Sequence, residues 1–102
     1  MYIIGGKRFC GKTTELVKVA SEKNLYIVCA DSNRVRNIVN VADKLKLKIP
    51  FPITVDELPL RSHNIKDVLV DDLESVLYQL IKKNVLVAST SFDLINMKSL
   101  KE

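Results

Sequence analysis

The sequence is poor in glycine, proline, cysteine and histidine, and it has no tryptophan. Three Gly and three Pro among 102 residues indicate few irregular connections. The two cysteines, Cys10 and Cys29, lack the close spacing of metal ligands. No apolar run approaches the roughly 20 residues that span a bilayer. The first apolar segment begins at Met1, which leaves no room for a signal or transit peptide. We therefore expect a cytoplasmic protein without a membrane segment.

The composition that remains is typical of one small globular domain. Hydrophobic residues make up 47% and charged residues 27%, which argues against disorder. The length suits a single domain over residues 1–102. The net charge is +4, but the basic residues are scattered, so the charge permits polyanion binding without demonstrating it. Both cysteines are expected to be reduced, and three tyrosines are expected at the edges of the core rather than as stacking platforms: Tyr2, Tyr26 and Tyr78.

Residues 6–13 (GKRFCGKT) fit G-x-x-x-x-G-K-[ST], the phosphate-binding P-loop or Walker A motif. The apolar residues 2–4 predict a strand before it, and residues 12–23 predict a helix after it. Glycines at both ends of the loop permit backbone angles at which amides converge on a phosphate chain. We expect Lys12 to reach the β- and γ-phosphates and the Thr13 hydroxyl to ligate Mg²⁺. The predicted nucleotide contacts are Gly6, Lys7, Arg8, Phe9, Cys10, Gly11, Lys12, Thr13 and Thr14.

The rest of the chain alternates between predicted strands and helices. Apolar runs at 25–30, 68–70 and 85–88 predict strands, residues 51–55 predict a short extended piece, and helical periodicity marks 35–45 and 73–81. Alternation predicts an α/β fold, a three-layer α/β/α sandwich with a mostly parallel sheet of about four to five strands. Ligands bind at the carboxyl ends of such strands. The groups expected there are the loop 6–13, Asp31-Ser32, Asp71-Asp72 and Ser89-Thr90.

Residues 68–71 (VLVD) form an apolar strand that ends in a carboxylate and resemble a Walker B segment. Asp71 would hold Mg²⁺ directly or through water, and Asp72 would cap the next helix, act as the base, or do both. With both motifs, the chain resembles the P-loop NTPase superfamily over nearly its whole length. The order of elements is similar to the additional-strand branch, which contains RecA-like, helicase and AAA+ ATPases, and the size would fit a small phage-encoded ATPase.

This resemblance implies ATP and Mg²⁺ as cofactors and a role in DNA or RNA handling. It also implies a polar γ-phosphate sensor at the tip of the strand 85–88, at Ser89 or Thr90. Asp72 stands where helicases and AAA+ proteins usually have Glu, and Glu74 is a possible substitute inside the following helix. Candidate arginine fingers are Arg8, Arg34, Arg36 and Arg61.

The first strand has no visible partner on its far side, and an uncovered strand edge favours association. A partner chain, a second copy, or the tail from Phe92 would cover it. Three functions stay open: a Mg²⁺-dependent ATPase, a nucleotide-binding assembly or regulatory module with little turnover, and a nucleoside kinase. The last rests on the similarity of residues 11–16 to the start of the thymidine kinase phosphate loop, although the paired cysteines of the zinc-bound lasso are missing.

Overall fold

A computed structural model describes residues 1–6 and 11–96 and is of the α/β class. In this part of the chain, three α-helices alternate with five short strands and one 3-10 turn. The elements in chain order are β1 (Ile3–Gly5), α1 (Lys12–Lys23), β2 (Ile27–Cys29), α2 (Ser32–Leu45), β3 (Ile53–Thr54), the 3-10 turn (Val55–Glu57), β4 (Leu69–Val70), α3 (Leu73–Ile81) and β5 (Leu94–Asn96).

The helices follow the predicted periodicity. The bounds of α1 and α3 are those expected from the sequence, and α2 begins after Asp31, whose carboxylate accepts a hydrogen bond from the Arg34 amide at 3.0 Å. Such a cap satisfies a helix N–H that has no partner inside the helix. Each helix ends at a residue with left-handed backbone angles: Asn24, Lys46 and Lys82. None of the helices in the described residues is long and apolar enough to cross a membrane.

The hydrophobic core lies where α1 and α2 pack on β2. All three residues of β2 are buried, which agrees with the continuous apolar run predicted for a strand covered on both faces. The core side chains come from all three elements: Val17, Ala20, Ile27, Cys29, Val35, Ile38 and Ala42. The carboxyl end of β2 therefore lies in this core, shortly before Asp31 and the start of α2.

The described strands form two parallel sheets. In one, β2 lies between β3 and β4, with Val28 opposite both Ile53 and Val70. The extended piece predicted at 51–55 is thus confirmed as a strand. In the other sheet, β1 pairs with β5, with Ile3 opposite Leu94. The tail after Phe92 therefore covers one edge of β1, which was one of the expected solutions.

The strand predicted at residues 85–88 is wrong. These residues form no strand, and the side chains of Leu86 and Val87 are 95% and 84% exposed. As a result, the described strands do not form the single sheet that the sequence predicted. An apolar β-branched run favours extended backbone, but pairing also needs a neighbouring edge, and β1 pairs with β5 instead.

Candidate functional site

The two glycines at the ends of the predicted loop have positive backbone φ angles. Gly6 has φ 147° and Gly11 has φ 93°, values that side chains with a Cβ rarely adopt. Gly11 is also the N-cap of α1 and has no side chain to cap the helix amides. The first turn of α1 therefore presents N–H groups and a positive dipole end without a competing carboxylate or hydroxyl at its cap. The predicted contacts at 7–10 (Lys7, Arg8, Phe9 and Cys10) lie outside the described residues.

The Lys12 side chain contacts Gly6, the residue that follows β1. Its Nζ donates a hydrogen bond to the carbonyl oxygen of Gly6 at 2.7 Å. The ammonium group is also close enough to favour the charged forms of Asp71 and Glu74 electrostatically. Lys12 thus contacts Gly6 and acts electrostatically on the acidic residues that follow β4.

Thr13 and Asp71 are brought together from distant parts of the sequence. The Thr13 hydroxyl donates to Asp71 Oδ1 at 3.1 Å. The Asp71 amide donates to the carbonyl of Val28 at 2.9 Å, which fixes the end of β4 against β2. The two residues that the sequence assigned to one metal ion are therefore hydrogen-bonded neighbours.

Asp71 is the buried polar residue of this site. It is 4% exposed, and its Oδ2 has no hydrogen-bond partner among the described residues. Burial raises the pKa of Asp71, while the hydrogen bond from Thr13 and the charge of Arg34 act in the opposite direction. A buried acceptor without a partner costs about 1–3 kcal/mol. An oxygen-preferring cation would offset this cost, so the donor set fits Mg²⁺.

Asp72 is held differently from its neighbour. It is the N-cap residue of α3 and has a positive φ of 59°. Its Oδ2 forms an ion pair with the Arg34 guanidinium and accepts a hydrogen bond from the Ser75 hydroxyl at 2.8 Å. Burial raises the pKa of Asp72, but hydrogen bonds from Glu74 and Ser75, together with the Arg34 charge, outweigh it and lower the pKa. Asp72 therefore stays ionised.

Glu74 and Asp72 form a carboxylate pair whose pKa values are shifted in opposite directions. The hydrogen bond to Asp72 raises the pKa of Glu74, so any proton shared by the pair resides on Glu74 in preference to Asp72. The sequence indicated Glu74 and Arg34 as separate candidates, and it did not indicate that both interact with Asp72. Only the nearby positions of Glu74 and Ser75 on one helical turn could have indicated part of this cluster.

The strand that was expected to carry the predicted sensor residues does not form. Ser89 and Thr90 are exposed, and Thr90 Oγ1 accepts a hydrogen bond from the Phe92 amide at 3.1 Å within its own turn. No described contact brings either residue to the loop or to Asp71. Thr14 is half-buried in the first turn of α1, next to the residues that carry the site.

Cys29 is a free buried thiol next to this cluster. Burial, followed by the charges of Asp71 and Asp31, raises the pKa of Cys29 to about 11. A thiol of this kind is a small hydrophobic core residue rather than a nucleophile, because the thiolate is the reactive form.

A cavity of about 430 Å³ opens next to the cluster around Asp72, between the start of α2 and one face of α3. Its lining residues are Ala30, Asp31, Arg34, Glu74, Ser75, Tyr78, Gln79, Asn84 and Val85. The chain matches no protein-family model, no curated protein and no solved structure. The function of this site is therefore argued from its geometry.

Proposed function

We propose that this domain is a minimal P-loop NTPase core that binds ATP with Mg²⁺ and hydrolyses the terminal phosphate. The observation that carries the proposal is the 3.1 Å hydrogen bond between Thr13 Oγ1 and Asp71 Oδ1. A strand-end carboxylate beside the hydroxyl that follows the loop lysine is the arrangement that a Mg²⁺–phosphate complex needs.

In this proposal, the loop amides and the N-terminus of α1 receive the phosphate chain. Lys12 exchanges its contact with the Gly6 carbonyl for phosphate oxygens. Thr13 and Asp71 supply protein oxygens to Mg²⁺. Because no group of three or more His, Cys, Asp or Glu that could hold a metal occurs in the described chain, phosphate and water oxygens would supply the other ligands.

Asp72 is the candidate for orienting the attacking water. It is ionised, and Arg34 and Ser75 hold one of its carboxylate oxygens. Water would attack the γ-phosphorus in line as the bond to the β–γ bridging oxygen breaks, with its proton passing to a carboxylate. Positioning and charge neutralisation supply most of the catalysis in such reactions.

A second candidate function is a nucleotide-binding assembly or regulatory module with little turnover. The engagement of Asp72 by Arg34 and Ser75 favours it, because a carboxylate oxygen with two donors is a weaker proton acceptor. A link to DNA or RNA belongs to the proposal through the family resemblance and the net charge of +4 alone. A second copy or a partner chain would cover the edge of β1 that β5 does not pair with.

The decisive experiment compares Lys12→Ala with Lys18→Ala, an exposed lysine on the same helix. ATP with Mg²⁺ should raise the melting temperature of the wild type and of Lys18→Ala, and it should leave Lys12→Ala unchanged. Equal stabilisation of all three proteins by ATP would refute the nucleotide site. Phosphate release, measured with and without single-stranded DNA, then separates the ATPase from the module, which would bind without release.

A further inference from the structure

The cavity beside Asp72 has a composition unlike that of the phosphate loop. Its volume of about 430 Å³ lies within the range of pockets that hold small molecules. It is bounded by polar side chains from α2, α3 and the residues after α3, and it shares Arg34 and Ser75 with the Asp72 cluster. It is therefore adjacent to the proposed reaction centre without containing the loop glycines or Lys12.

The charges around this cavity disfavour a phosphate-bearing ligand. Two carboxylates, Asp31 and Glu74, line it, and the positive charge of Arg34 is already matched by its ion pair with Asp72. Lys82 donates to the lining residue Gln79 at 2.8 Å, but the carboxylates of Asp31, Asp72 and Glu74 still outnumber the cations Arg34 and Lys82. A ligand phosphate would therefore meet a net negative surface, and like charges at close range are repelled. Carboxylates are instead good acceptors for sugar hydroxyl groups, as in dinucleotide-binding folds where one binds the ribose.

The rest of the lining suits a planar heterocycle. Tyr78 is 47% exposed, so part of this residue is accessible to a ligand. Gln79 and Asn84 are also in the lining. The Gln79 oxygen accepts a hydrogen bond from Lys82 at 2.8 Å, which leaves its NH₂ group to donate to a ligand, and the Asn84 amide carries both a donor and an acceptor. An aromatic face with neighbouring amides can stack on a nucleobase and read its edge.

We propose that this cavity binds an uncharged nucleoside, with the base on Tyr78 and the sugar hydroxyls towards Asp31 and Glu74. This goes beyond ATP hydrolysis, since it assigns the domain a second ligand next to the phosphate loop. The site is tested without ATP, so its failure and that of the phosphate-loop proposal are separate results.

The test titrates the full-length ¹⁵N-labelled protein with adenosine, thymidine, AMP and a short oligothymidylate, and follows the backbone amide signals. At least one of the two nucleosides should shift the signals of 74–79 and 84 saturably. The matching phosphate-bearing ligand, AMP for adenosine and oligothymidylate for thymidine, should bind about tenfold more weakly, a difference of about 1.4 kcal/mol. The proposal is overturned if neither nucleoside gives saturable shifts, or if the phosphate-bearing ligand binds as tightly as its nucleoside.

Two variants separate stacking from charge. Tyr78→Ala should weaken nucleoside binding about tenfold, in the range of one base–aromatic stack, while Tyr2→Ala, an exposed tyrosine outside the cavity lining, should not change it. Glu74→Gln keeps the shape of the side chain and removes its negative charge. It should therefore reduce the ratio of the affinities for adenosine and AMP, or for thymidine and oligothymidylate. Unchanged binding by Tyr78→Ala, or an unchanged preference in Glu74→Gln, would contradict the proposal.

Discussion

Replacing Asp71 by Asn should make the ligand-free protein more stable while it removes the proposed Mg²⁺ site. Asp71 is 4% exposed with one oxygen unpaired, and burial raises its pKa. The asparagine oxygen can still accept from Thr13, and a buried unpaired polar atom remains in both proteins. The comparison therefore isolates the cost of burying the charge.

The size of the effect follows from linkage. Each unit by which folding raises the pKa of Asp71 adds about 1.4 kcal/mol to the advantage of the variant, and each 1 kcal/mol raises the melting temperature of a domain of this size by about 4–8 °C. Because Asp71 binds a proton more readily in the folded state, the free energy of unfolding falls as pH rises from its ordinary pKa through the raised one. The advantage of Asp71→Asn should therefore be small in acid and fully developed above the raised pKa.

The assay is thermal or urea unfolding of wild type, Asp71→Asn and the control Asp67→Asn, an exposed residue just before β4. Each is measured across pH 3–8, which runs from about one unit below to about four units above the ordinary Asp pKa, and again with ATP, with and without Mg²⁺. At 100 times its dissociation constant, a ligand adds about 2.7 kcal/mol. The increment due to Mg²⁺ should vanish in Asp71→Asn and persist in Asp67→Asn. A less stable Asp71→Asn at neutral pH, or an unaltered Mg²⁺ increment, would refute the reasoning.

Asp72→Asn should change the free energy of unfolding in the opposite direction, because the pKa of Asp72 is lowered in the folded protein. The variant should lose about 1 kcal/mol of stability at neutral pH, a value typical of a partly exposed ion pair. This loss should disappear as the pH falls below the folded pKa of Asp72. A double-mutant cycle with Arg34→Ala measures the pair, and additive effects would contradict the coupling. Gly5→Val should destabilise the β1–β5 pair by about 1–3 kcal/mol, because a Cβ at Gly5 would lie 2.8 Å from Leu94 Cδ2. The penalty, read from urea midpoints, should shrink in a Leu94→Ala background, and an equal penalty there would contradict the clash.

Short-range features were predictable from the sequence. The bounds of α1 and α3 follow from periodicity and local caps, and the positive φ angles at Gly6 and Gly11 follow from the loop motif. Each depends on interactions within a few residues, which the order of side chains specifies directly. The position of Asp71 at a strand end was predictable for the same reason.

Long-range pairing was not predictable. Residues 85–88 and Leu94–Asn96 are both short apolar runs that favour extended backbone, and only the second pairs with β1. A strand gains its hydrogen bonds from a neighbour, and its own residues do not encode which edge is available. The ion pair between Arg34 and Asp72 depends in the same way on the docking of α2 beside α3.

By itself, the sequence determined the helices, the glycine loop with its lysine and threonine, and an acidic strand end, since these depend on local backbone preferences. Only the tertiary structure decided that Thr13 contacts Asp71, that Asp72 is held by Arg34, and that a cavity opens beside them. Those contacts join residues far apart in the chain. Their geometry is set by how α1 and α2 pack on β2 and by the pairing of β4 with β2, which no local pattern contains.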